Sequence, residues 1–138
     1  MKKILFAFVA LFFTTFSFAQ IEGKWKTIDD ETGETKSVVE IFKKSDGKYY
    51  GKILQLMQKP ENNNCVKCSD DRKNKPLIGL EIIRNVKKEG NKFVGGTITN
   101  PKDGKSYKTE LLRDGNTLKV KAIKLGITVK TQTWQKAN

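Results

Sequence analysis

Thr117-Leu118-Lys119-Val120-Lys121-Ala122-Ile123-Lys124, and across Leu125-Gly126 the run Ile127-Thr128-Val129-Lys130-Thr131-Gln132-Thr133-Trp134-Gln135, decide the fold. Leu118, Val120 and Ala122 alternate with Lys119 and Lys121, and Ile127 and Val129 alternate with Thr128 and Lys130. A period of two is the mark of a strand with one apolar face and one solvated face. The two runs predict a hairpin bending at Gly126, with Ile127 and Val129 on its apolar side.

Working back along the chain, six more short runs are each closed by a turn signal. They are Gly23–Ile28, Ser37–Lys43, Tyr49–Met57, Leu80–Val86, Lys92–Thr99 and Ser106–Arg113. Asp-Gly pairs at 46–47, 103–104 and 114–115 are hairpin-type turn residues, and Pro101 fixes φ in the turn that Gly104 ends. Consecutive hairpins make an antiparallel meander, and eight strands avoid exposed edges by closing into a barrel. The expected fold is therefore all-β: a single eight-stranded antiparallel up-and-down barrel. Such a barrel holds filling side chains or one small ligand. Gly95-Gly96 in mid-strand predicts a barrel corner. Residues 58–79 break the pattern with a long polar loop that carries both cysteines; a short helical turn around Ser69 to Lys73 is compatible with it.

The start of the chain reads as an export signal. Lys2-Lys3 precede an unbroken apolar run from Ile4 to Phe13, and Ser17-Phe18-Ala19 offers small residues at the −3 and −1 positions. A spanning helix needs about 20 predominantly apolar residues, so cleavage after Ala19 is expected. That leaves a barrel domain at 20–138, located in the periplasm or secreted. Removing Lys2 and Lys3 lowers the net charge from +12 to +10.

The 138 residues contain no histidine. Ser-His-Asp and Cys-His catalysis are thereby excluded, with His-ligated metals and haem attachment. Asp29-Asp30-Glu31 and Asp70-Asp71 are carboxylate clusters in polar, lysine-rich loops, while Asp46, Asp103 and Asp114 each precede Gly and fit turn chemistry. No catalytic residue, cofactor or metal site is assigned, and the chain is read as not an enzyme. Cys65-x-x-Cys68 in an exported protein points first to a disulfide. Redox chemistry, zinc held with Asp70 and Asp71, and free thiols are its alternatives. The basic residues are nearly all lysines alternating with apolar residues, as on a solvated sheet face, and export removes the chain from nucleic acid. An anionic envelope component is the partner that such a charge attracts.

Trp25 opens the first strand and Trp134 ends the last, so a tryptophan from each is expected to plug one barrel end. Inward-facing candidates for ligand contact are Trp25, Val39, Ile41, Ile53, Tyr107, Leu118, Val120, Gln132 and Trp134, with Tyr107 and Gln132 supplying polar contacts.

Gly23-x-Trp25 at the first strand resembles the opening motif of lipocalins and related calycins. Ile21–Thr27, Val39-Glu40-Ile41-Phe42, Tyr50-Gly51-Lys52-Ile53 and Cys65-x-x-Cys68 leading to Lys75–Gly79 extend the likeness. Gly95-Gly96-x-Ile98, Asn100-Pro101-x-Asp103-Gly104-Lys105-x-Tyr107 and Thr131-Gln132-Thr133-Trp134 complete it. With these pieces in order, the chain resembles the bacterial domain of unknown function 2147 family. The resemblance implies a small exported lipocalin-like barrel with no established activity. Lys121 and Lys130 stand where the family pattern leads one to expect arginines, which puts any bidentate anion contact from those positions in doubt. Two functional classes follow. The first is a noncatalytic binder of a small, partly apolar ligand in the barrel. The second is an envelope interaction or structural module with a filled barrel, acting through its basic surface or the 58–79 loop. An inhibitor of lysozyme falls in the second class, but a +10 protein repels a basic lysozyme.

Overall fold

The computed structural model describes residues 20–137, so the expected export signal at 1–19 lies outside the described residues. Eight strands follow in order: β1 (Gly23–Ile28), β2 (Thr35–Lys43), β3 (Tyr49–Leu56), β4 (Glu81–Glu89), β5 (Lys92–Asn100), β6 (Lys105–Asp114), β7 (Thr117–Lys124) and β8 (Ile127–Lys136). Each pairs antiparallel with the next, and β8 returns to β1, which closes the barrel. The seam is short: Trp25 pairs with Lys136 and Lys26 with Gln135, and the Ala137 amide donates to the Lys24 carbonyl at 2.9 Å.

Because the strands alternate in direction, the turns fall at two ends. The β2–β3, β4–β5 and β6–β7 turns lie at one end with Trp25. The β1–β2, β3–β4, β5–β6 and β7–β8 connections lie at the other. The first end is closed by large side chains. Trp25, Trp134, Phe93, Ile41, Leu111, Leu118, Val39, Val86 and Val120 are fully buried there and along the barrel axis. The Trp25 indole donates to the Ile21 carbonyl at 2.8 Å. Its ring lies 5.4 Å from the Arg113 guanidinium and 5.0 Å from the Lys136 ammonium. Those two cations cover the plug with cation–π contacts.

Gly95 adopts φ +81° where the β5–β6 register slips between Phe93 and Gly96. A Cβ on Gly96 would lie 2.2 Å from the Arg84 carbonyl oxygen. The pair is thus a corner where two backbones touch, which only glycine permits.

One expectation is corrected, and one option for the 58–79 loop is not taken up. Ile127 and Val129 do not join the core: they are 67% and 52% exposed, and Leu125 at the turn is 93% exposed. The β7–β8 register slips between Ala122 and Ile123, so the tip of the hairpin continues past the rim, where its alternation has no core to face. No helical turn forms at Ser69 to Lys73. The segment makes successive turns, with Lys73 N donating to Asp70 O and Lys75 N to Arg72 O.

Candidate functional site

Register divides the inward-facing residues into a floor and an upper half. Trp134 pairs with Leu118, Gln132 with Val120 and Lys130 with Ala122 on β7–β8. Leu111 pairs with Val120 and Thr109 with Ala122 on β6–β7. On β5–β6, Gly96 pairs with Thr109 and Ile98 with Tyr107. Large apolar side chains therefore fill the closed half. The other half is lined by smaller or polar groups: Thr27, Ser37, Gly96 and Thr109 are buried there, while Ala122, Gln132 and Tyr107 are half-buried.

Of the residues expected to contact a ligand, Trp25, Val39, Ile41, Ile53, Leu118, Val120 and Trp134 are buried in the floor and walls, whereas Tyr107 and Gln132 are half-buried near the mouth. Ala122, Ile98 and Leu56 share that half-buried upper position. Strand alternation carries the signal for Ala122 and Ile98, and likewise for Arg113, which falls on the same face as Leu111. The polar groups of this upper half are bonded. The Thr27 and Ser37 hydroxyls lie 2.6 Å apart, Thr109 donates to the Lys121 carbonyl at 2.8 Å, and the Trp134 indole donates to Gln132 Oε1 at 3.1 Å. At the rim, Lys130 pairs with Asp30 at 2.9 Å.

Residues 57–80 form a cap on the β3–β6 side of the mouth. Cys65 and Cys68 are joined in a disulfide. Both are buried, and with Leu77 and Leu80 they belong to the same apolar cluster as the barrel floor. The cap is clasped to the wall by arginines. Arg72 is 4% exposed and donates to both carboxylate oxygens of Asp70 and, at 2.8 Å, to the Glu81 carbonyl. Arg84 binds Asp71 in a fork at 2.7 and 2.9 Å and reaches Glu81 at 3.0 Å. The Arg72 guanidinium holds the Asp70 carboxyl well below the usual carboxylate range. Arg84 lowers Asp71 in the same way. Burial pushes Glu81 up, but Lys44 and Arg84 together outweigh it.

Under this clasp a cleft of about 370 Å³ opens on the outer wall, lined by Phe42, Lys52, Ile78 and the two arginines among others. Its guanidinium donors are already engaged by Asp70, Asp71 and Glu81, so an incoming anion would have to displace a carboxylate. On the β6–β8 side of the same barrel end, Tyr107, Ala122 and Gln132 are half-buried. Among the described residues, no helix is long and apolar enough to cross a membrane.

Comparison with known proteins bears on the fold and the family. Residues 23–136 match the sequence model of a family described as "uncharacterized protein conserved in bacteria (DUF2147)". Protein HP1028 from the human pathogen Helicobacter pylori, described as belonging to the lipocalin family, is similar in structure at a TM-score of 0.73 and 22% identity. The likeness covers 87% of this chain and 84% of that one. Among curated proteins, no sequence matches this chain.

Proposed function

This chain belongs to the uncharacterized bacterial family DUF2147, and on that premise we propose that it is a noncatalytic binder of a small, partly apolar ligand, working outside the cytoplasm. The observation that carries the reading is the contrast along one inward face. Trp134 and Leu118 are fully buried, while Gln132, Ala122 and Tyr107 nearer the mouth are left half-open. A ligand seated there rests on the apolar floor and meets the Tyr107 hydroxyl, the Gln132 amide and the Lys130–Asp30 rim. Burying about 200 Å² of apolar ligand surface contributes roughly 5 kcal/mol before association costs; that alone corresponds to a Kd of about 0.2 mM, so tighter binding needs the polar contacts as well. The structural likeness to a protein described as a lipocalin supports the choice of a barrel ligand over a surface reaction. Location rests on the Lys2-Lys3, Ile4–Phe13 and Ser17-Phe18-Ala19 pattern, and the exported protein should begin at Gln20 by intact mass.

Trp134 lies one strand step below the mouth and is bonded to Gln132, so its fluorescence reports occupancy. Titration with fatty acids and other apolar probes should give a saturable change that Gln132→Ala weakens. No saturable change across such a panel, with either protein, retires the ligand and leaves a filled barrel that acts through its surface.

A further inference from the structure

The turn that joins β7 to β8 is unlike the three turns at the closed end. Those read Ser45-Asp46-Gly47, Glu89-Gly90-Asn91 and Asp114-Gly115-Asn116, all polar. The β7–β8 turn instead puts Leu125 at its apex with φ +52°, followed by Gly126 at φ +76°. Two consecutive positive φ values are the turn geometry that Asn-Gly adopts most readily, and a branched leucine in it is strained. Leucine is therefore disfavoured here twice, by its backbone and by its 93% exposure. Ile127 and Val129 follow at a period of two, 67% and 52% exposed. Three apolar side chains thus project from one hairpin tip, left largely exposed by the described residues.

The charge of the same hairpin identifies what covers it. Near the tip, from Val120 to Thr131, the hairpin carries Lys121, Lys124 and Lys130 and no acidic residue, while Lys119 and Lys136 lie toward the closed end. Lys121 leans on Glu110 at 3.4 Å and Lys119 on Thr133 at 2.8 Å; Lys124 is exposed beside the apex. The acidic β1–β2 loop reaches the hairpin at Lys130, whose ammonium engages Asp30. That contact lies three residues short of Ile127, about 10 Å along the strand, so Asp30 engages the hairpin behind its tip. Asp29 is turned onto the Glu31 and Thr32 amides of its own loop.

We propose that the β7–β8 tip is a membrane-contact site: Leu125, Ile127 and Val129 enter the interface of an anionic bilayer while Lys124 beside the apex, with Lys121 and Lys130 behind it, meets its headgroups. Apolar residues at the headgroup boundary with cations above them are the arrangement that binds an anionic lipid surface without spanning it. The tip lies at the same end of the barrel as the half-buried Tyr107 and Gln132, so contact with lipid brings that mouth to the bilayer. The inference stands whether or not the mouth holds a ligand.

The exported protein, freed of residues 1–19, is mixed with vesicles of phosphatidylcholine alone and of phosphatidylcholine with phosphatidylglycerol, then sedimented. Binding to the anionic vesicles alone, weakened by added salt, is expected. Leu125→Asn should reduce it by at least about tenfold, the loss of one apolar side chain from the interface, and Leu125→Asn with Ile127→Asn should abolish it. Because Asn-Gly suits this turn better than Leu-Gly, Leu125→Asn should not lower the melting temperature, which separates lost contact from lost fold. The proposal is overturned if the anionic vesicles bind nothing or if the double variant binds them as well as the parent. It is also overturned if the tip variants change only self-association in sedimentation velocity without lipid.

Discussion

Tyr50 shows how one side chain ties a turn to the wall. Its hydroxyl donates to Asp46 and lies 2.9 Å from the side-chain amide of Asn85, while the Lys44 ammonium sits 4.0 Å above its ring. The Asp46 carboxylate and burial push the phenol up to about 12 from an ordinary value of 10. A raised pKa means that the folded protein favours the neutral phenol. Its contribution is complete below pH 10 and is lost as the pH rises toward 12. Tyr50→Phe should lower stability by about 1 kcal/mol at pH 8, measured by urea unfolding. The gap between parent and variant should close between pH 10 and 12. A gap that stays constant over that window would show that the hydroxyl is not held by Asp46 in its neutral form. Position 50 could not be assigned this role from sequence, because Asn85 is 35 residues away and meets Tyr50 only across β3 and β4.

At the scale of elements, the cap is the part that sequence described least. Its length and cysteines set it apart from the strands, but its place depends on contacts from four directions. Cys65 N donates to Lys75 O and Leu77 N to Asn63 O, which fold the segment on itself. Gly79 N donates to Ile53 O, which pins it to β3, and Arg72 holds it to β4. The fourth contact is Gly104 in the β5–β6 turn, at φ +73°, where an added Cβ would lie 1.9 Å from the Lys67 carbonyl oxygen. Reduction of the disulfide should cost about 2 kcal/mol or less, the scale for so short a loop. The far-ultraviolet spectrum of the barrel should persist while amide exchange over 60–78 quickens. Gly104→Ala should quicken the same amides with the disulfide intact, because the cap must lift off the turn. Collapse of the whole barrel on reduction would mean that the cap is part of the folding core rather than a cover on it.

In the whole molecule, the floor carries stability and the mouth does not. Trp134→Ala empties a large site in the closed half and should cost about 3–5 kcal/mol, a large share of the roughly 5–15 kcal/mol of an ordinary domain. Tyr107→Phe at the mouth should stay within about 0.5 kcal/mol. Urea midpoints compare the two directly, and equal losses would contradict the division between floor and mouth. The strands themselves were legible in the sequence: β1 and β7 match the expected runs residue for residue, and the others differ by one to three residues at an end. Alternation and turn chemistry are local properties, decided by side-chain period, φ preferences and neighbouring residues. The height of each residue in the barrel is a different matter. Gln132 and Trp134 share one face, yet one meets the mouth and the other the floor. Ile127 and Val129 keep the period of a core face but have no core opposite them. Sequence by itself determined the eight strands, their order and the apolar side of those, such as β2 and β7, whose alternation is plain. Tertiary structure alone decided where that apolar side meets packed side chains, an open mouth or solvent, because closure of the barrel and its register slips set how far each strand extends past its neighbours.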